Sequence, residues 1–164
     1  MNLPQGRPIS ASRAEYSELA MPNDANPLGT LFGGKVMALV DLAASISAHR
    51  HARCAVVTAS VDHMSFLYPV RIGELVSCYA QVNRAFHTSM EVGVRVMVEN
   101  MSTGEKRHTS SAYLTFVALG PDGSRVPLPP VITETADEGR RYEEALLRRE
   151  ARLQLRARSL EPMK

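Results

Sequence analysis

The chain has 164 residues, 45% of them hydrophobic and 22% charged, with a formal net charge of +2. That is enough apolar sequence for one globular core, and it excludes a wholly disordered chain. Residues 140–158 hold seven Arg and three Glu, net +4, which leaves −2 for the remainder, too little positive charge for a nucleic-acid-binding body. Cys54 and Cys78 could form one disulfide but are read as reduced thiols, and no spacing of Cys and His fits a metal site. No apolar run approaches the roughly 18 residues that span a bilayer, and the first residues lack the apolar stretch of a leader. The expectation is a cytoplasmic protein without metal.

Three parts follow in order. Residues 1–12 are rich in Pro, Gly and Ser and are expected to be flexible. Residues 13–132 form the folded domain, with the periodic apolar pattern over 13–120 and an extended, Pro-stiffened stretch after the turn at Gly120–Gly123. Residues 133–164 form a charged helical extension, the helix itself predicted over 134–158. Within the domain, Ala14–Met21 reads as a short strand, which Pro22, Asn23, Asn26 and Pro27 cannot continue. Val36, Leu39, Val40, Ala43, Ala44 and Ile46 then recur every three or four residues, predicting a helix over 34–51 that is apolar on most faces and so belongs inside something. Strand patterns follow at Ala55–Met64, Leu75–Asn83, Ser89–Val98 and Arg107–Leu119. In the last two, Met90, Val92, Val94, Val96 and Val98 share one face, as do Ala112, Leu114, Phe116 and Ala118. Short connections make these strands antiparallel. The expected fold class is α+β, a sheet curled around a central helix, and one helix cannot cover such a sheet alone. A dimer or larger assembly, with sheets joined edge to edge, is expected.

The long loop over 22–34 ends where the helix begins. Gly33 and Gly34 open backbone N–H groups at a helix N-terminus, where the macrodipole is positive. That place suits a developing oxyanion, and it equally suits a capping loop whose glycines permit close packing. Asp41 stands alone in the run VMALVDLAASI, where an unpaired carboxylate is costly to bury. It faces solvent, pairs with a base such as Arg50, or serves as a general base or nucleophile. His49 and His51 end the helix and read as capping or surface groups. His63 can line a site, but Ser65 has no triad spacing. In the tail, Leu146, Leu147, Leu153 and Leu155 make a thin stripe among arginines, with Glu144 and Arg148 at i,i+4. A solvated surface helix is expected there; a subunit contact or an acidic partner are the other readings.

The string MPNDANPLGTLFGGKVMALVDLAA, followed by VVTASVDHMSFLYPVRIGE, closely resembles the acyl-CoA hydrolase branch of the hotdog-fold acyl-CoA thioesterases. The resemblance runs from about Tyr16 to Pro130. The ordered set is specific: a Pro/Asp/Asn loop, GxxFGG, a helix carrying Asp, VVT, and FLxPVxxG. The resemblance implies a hotdog fold and hydrolysis of acyl-CoA to free acid and coenzyme A. By position it implies that Asp41 activates water or attacks the thioester carbonyl. It implies that Asn26 orients the reacting group, that the Gly34 N–H, with Gly33, polarises the carbonyl, and that Thr58 hydrogen-bonds near the site. The family's active site lies at a dimer interface, so Asn26 and Asp41 of one site would come from different subunits. The phosphates of coenzyme A call for basic and hydroxyl groups, here Arg71, Arg84, Thr88 and Ser89. Tyr68 departs from the family, standing where relatives often carry Arg or Lys. The partners implied are acyl-CoA and further copies of the chain, as dimers in a trimer of dimers, with no nucleic acid and no membrane. Coenzyme A is part of the substrate, and no separate cofactor is expected. A non-catalytic acyl-CoA sensor on the same scaffold is the alternative. A dehydratase-type hotdog fits less well, because its His-containing motif is not evident.

Overall fold

The computed structural model describes residues 5–159, the side chain of Ser159 excepted. The first four residues of the segment expected to be flexible, and residues 160–164 of the extension, lie outside the described residues. The elements in chain order are β1 (Arg7–Pro8), β2 (Ala14–Leu19), α1 (Gly33–Ala52), β3 (Ala55–Phe66), β4 (Leu75–Ala85), β5 (Ser89–Glu99), β6 (Lys106–Leu119), β7 (Val131–Ile132) and α2 (Ala136–Ser159). Short 3₁₀ turns occupy Ile9–Ser12 and Pro22–Asp24.

Five strands form one antiparallel sheet in the order β2-β4-β5-β6-β3. The alternation seen in the sequence aligns across it. Val76 pairs with Val98, Cys78 with Val96 and Ala80 with Val94, and Met90 pairs with Phe116. These side chains are buried on the face that meets α1. Helix α1 contacts all five strands, burying Val36, Leu39, Val40, Ala43, Ala44 and Ala48. Small residues let the helix approach the sheet closely. The helix ends at Arg53, which adopts φ 58 and donates its N–H to the His49 carbonyl at 2.8 Å, the left-handed C-terminal cap usually filled by Gly.

Three expectations are corrected. Residues 7–12 are packed rather than free: β1 pairs in parallel with β7, and Ile9 and Ser12 are fully buried. Ser12 Oγ accepts the Val82 N–H at 3.0 Å, filling the irregularity in β4 between Val82 and Arg84. His51 is 1% exposed rather than a surface group. Its Nε2 bonds the Pro129 carbonyl at 2.8 Å, its own carbonyl accepts from Arg7, and its Nδ1 has no partner among the described residues. Helix α2 is docked on the sheet face opposite α1 rather than solvated. It starts with a reciprocal cap in which Glu138 N–H bonds Thr135 Oγ1 while Glu138 Oε2 accepts the N–H groups of Glu134 and Thr135. Arg13 reaches the fully buried Glu138 at 2.9 Å. Further along, Arg148 grips Glu91 with two bonds of 2.9 and 2.8 Å and stacks on Tyr113. The Glu144–Arg148 pair allowed by helical spacing is present at 3.8 Å, the longer of Arg148's ion pairs.

Candidate active site

The 22–34 loop is built from its own polar groups. Asn26 Oδ1 accepts the N–H groups of Leu28 and Thr30 at 3.0 and 3.1 Å, and its Nδ2 donates to Thr30 Oγ1 at 2.9 Å. One Nδ2 hydrogen remains for another acceptor. Lys35, in the first turn of α1, joins Glu18 of β2 at 2.7 Å and Asp24 of the loop at 3.4 Å. The hydrogen bond to Glu18 raises the Lys35 pKa, and Lys35 lowers that of Glu18. The Leu31 N–H bonds the Val70 carbonyl at 2.8 Å, fastening the loop to the segment after β3. That segment hangs on Glu74, which accepts from Arg107 at 2.6 Å and from the Arg71 N–H at 2.7 Å. Burial pushes the Glu74 carboxyl up, but Arg107 and the Arg71 N–H outweigh it and hold the group below its ordinary value.

At the start of α1, Phe32 is the N-cap and supplies no side-chain acceptor. The Lys35 and Val36 N–H groups turn back to the Phe32 carbonyl. Among the described residues no backbone acceptor is found for Gly33 or Gly34 N–H, so two donors stand at the positive end of the helix. A cavity of about 290 Å³ opens beside Gly33. Asn26, Thr30, Gly33, Phe66 and Tyr68 line it, with Ser110 at its edge.

Asp41 lies eight residues further along α1, about 12 Å at the helical rise, and does not line this cavity. Its Oδ1 accepts the Thr58 hydroxyl of β3 at 2.7 Å. The sequence left Asp41 to solvent, to Arg50 or to chemistry; its partner is Thr58, and Arg50 bonds the Arg13 carbonyl. One chain therefore presents two partial sites, Asn26 with the glycine N–H groups and Asp41 with Thr58. Both open onto exposed apolar side chains: Phe32, Met37, Leu42, Val61 and Phe66 are 44–58% exposed.

The residues proposed for coenzyme A are spread out. Arg71 is exposed and forms an isolated bridge with Thr30, beside the loop. Thr88 and Ser89 lie at the β4–β5 turn. Arg84 is held by α2: it stacks over Tyr142 at 4.0 Å, donates to the Tyr142 carbonyl and lies 3.6 Å from Glu143. His63 bonds Ser65 at 2.9 Å and reaches no carboxylate. Another cavity, about 740 Å³, is on the other side of the sheet, lined by Arg13, Arg50, Tyr79, Arg95 and Arg141 with Glu15; neither partial site opens into it. No cluster of three or more metal-ligating side chains exists among the described residues. Sequence reasoning missed Lys35 and Glu74 as loop anchors; the isolated charges flanking the loop were the available signal.

The sequence profile of the thioesterase superfamily matches residues 28–105. An uncharacterised acyl-CoA thioester hydrolase of Bacillus subtilis, YkhA, is 41% identical over 138 residues, 84% of this chain and 80% of its own. The chain belongs to the acyl-CoA thioester hydrolases of the thioesterase superfamily. The fold is accordingly the hotdog fold of that family. An apo-hexameric acyl-CoA thioesterase superposes with a TM-score of 0.90 at 41% identity, covering 93% of this chain and 98% of the other. The acyl-CoA hydrolase of Staphylococcus aureus, solved with butyryl coenzyme A, coenzyme A and coenzyme A disulfide, superposes with a TM-score of 0.87 at 35% identity over 93% of each chain. That hydrolase has also been solved with an Asp, an Asn and a Thr each replaced by Ala. No helix among the described residues is long and apolar enough to cross a membrane.

Proposed function

We propose that this chain hydrolyses acyl-CoA thioesters with Asp41 as general base or nucleophile. The observation that carries the reading is the Thr58–Asp41 hydrogen bond of 2.7 Å beside an open apolar surface. It holds one carboxylate oxygen and leaves the other for the reaction. The three residues replaced by Ala in the Staphylococcus aureus hydrolase are spaced 15 and 17 positions apart, the spacing of Asn26, Asp41 and Thr58 here.

In the general-base form, water adds to the thioester carbonyl as Asp41 takes its proton. The oxyanion accepts from the Gly34 and Gly33 N–H groups, assisted by the remaining Asn26 Nδ2–H. The C–S bond then breaks, and the coenzyme A thiolate recovers the proton. No metal and no separate cofactor enters. Because Asp41 stands about 12 Å along α1 from Gly33, a second copy of the chain supplies one half of each site. Strand β3 ends the sheet, and its exposed Val57, Val61 and Phe66 make it the edge through which two copies join. The hexameric relative supports a trimer of such dimers. Arg71, Thr88 and Ser89 remain available to the phosphates of coenzyme A, whereas Arg84 must leave Tyr142 to contribute. Two free thiols fit a reducing compartment, and we place the enzyme in the cytoplasm.

The test is thiol release from a panel of acyl-CoA esters, short to long, by the native chain and by Asp41→Asn. Turnover should fall by at least about 10³-fold in the variant, a loss typical of removing the acid–base group, with the fold and acyl-CoA binding kept. Full activity in Asp41→Asn would refute the assignment, and binding without turnover by the native chain would replace it with the acyl-CoA sensor.

A further inference from the structure

Strand β3 carries Thr58 toward α1 and is irregular just beyond it. Its register against β6 runs Thr58 to Phe116 and then Ser60 to Thr115, skipping Ala59; it runs Val61 to Leu114 and then His63 to Tyr113, skipping Asp62. In a regular strand alternate residues share a face. Asp62 would then lie on the Thr58 face and put a second carboxylate under α1. Two bulges prevent this: the first turns Asp62 to the outer face, and the second returns Met64 to the inner one.

On the outer face the Asp62 side chain is only 8% exposed and meets three donors. Ser60 Oγ donates to Oδ1 at 2.6 Å, Thr115 Oγ1 donates to Oδ2 at 3.3 Å, and the Arg152 guanidinium of α2 closes on Oδ2. A buried carboxylate keeps its place only while its cation is there; unpaired, it moves to water or takes a proton. Among the described residues, Arg152 is the cation paired with Asp62.

We propose that the Arg152–Asp62 pair is a positioning device for the reaction: it holds the β3 bulges that aim the Thr58 hydroxyl at Asp41. The inference rests on Asp41 being the reacting carboxylate, as proposed above. Arg148 provides an internal comparison. It makes an equally buried pair one turn earlier with Glu91, but Glu91 sits on β5, which carries no reacting group.

The experiment measures kcat and KM for butyryl-CoA separately, with thermal midpoints, in the full chain. Arg152→Ala should lose about tenfold in kcat with KM little changed, in line with the cost of a sub-ångström misplacement. Arg152→Lys should recover most of it. Arg148→Ala should lower the thermal midpoint by a similar amount and keep its kcat. In a Thr58→Ala background, Arg152→Ala should cost nothing further, because it acts through Thr58. An equal kcat loss in Arg148→Ala, or additive losses in the double variant, would reduce the pair to ordinary stability and overturn the proposal. Should Arg152→Ala not fold, Asp62→Asn removes the charge while keeping an acceptor for Ser60, and it should show the same kcat loss; unchanged kcat there overturns the proposal. Asp41→Asn measured alongside separates the two readings. An active Asp41→Asn defeats the catalytic assignment, whereas an inactive one beside a normal Arg152→Ala defeats only the positioning role.

Discussion

Asn26 performs two tasks with one amide. Its Oδ1 closes the loop by accepting two backbone N–H groups, and its Nδ2 has a hydrogen left to offer. Substitution by Asp divides the two. Aspartate keeps the acceptor oxygen, and the Thr30 hydroxyl can reverse and donate to it, so the loop survives. The donor is lost and a negative charge is set near the oxyanion of the proposed mechanism. Asn26→Asp should therefore reduce kcat by about 10²-fold, the usual cost of one oxyanion donor, while hydrogen exchange at the Leu28 and Thr30 amides stays slow. Fast exchange at those amides would make Asn26 a structural residue first. Cys78 shows the opposite case, a residue with no chemistry to offer: burial pushes its thiol up to about 12.

Among the elements, the loop and the helices depend on charged anchors that local pattern does not reveal. Lys35 ties β2, the 22–34 loop and the first turn of α1 through Glu18 and Asp24. Lys35→Met removes both ties and leaves two carboxylates facing each other. The loop should open more often, seen as faster cleavage at the loop in limited proteolysis and a higher KM for acyl-CoA, with α1 intact. Unchanged proteolysis would show that Asn26 and the Leu31–Val70 bond hold the loop without it. Helix α1 and the strands were legible because their apolar residues recur with the period of one buried face. Helix α2 was legible as a helix but not as a docked one. Its contacts include Arg148 to Glu91 and Arg152 to Asp62, and a stripe of arginine looks solvated until the sheet is seen to bury carboxylates opposite it.

In the whole molecule, the segments carrying Arg7 and Pro129 meet at His51. Burial lowers its pKa from the ordinary 6.5, opposing the Pro129 hydrogen bond, with Arg7 adding to the depression. The native state thus keeps His51 neutral where the unfolded chain would protonate it. Stability is full above the unfolded value and is lost as pH falls from about 6.5 through the lower native value. His51→Gln keeps an N–H for Pro129 and cannot titrate, so its Tm should fall less than the native protein's between about pH 7 and about pH 5. An identical loss in both proteins would place the acid sensitivity elsewhere. The N-terminal segment was not legible for the same reason as His51: Arg7 is ordinary in isolation, and only its distant partners, the carbonyls of His51 and Pro130, hold the segment in place.

Periodicity in the sequence was enough for five strands, one central helix and the antiparallel connection of the last four strands, because hydrophobic spacing and short loops are local properties of the chain; the family came from the ordered motif set that the chain shares with it. It also marked Asp41, Asn26 and the paired glycines, since a lone carboxylate and a constrained loop stand out against an apolar run. The partner of Asp41, the separation of Asp41 from Gly33, the turning of Asp62 to the outer face and the docking of residues 7–12 and of helix α2 were decided only on folding. Each depends on residues far apart in sequence, and the bulges in β3 shift which face a side chain meets by one residue, a change that no local pattern records.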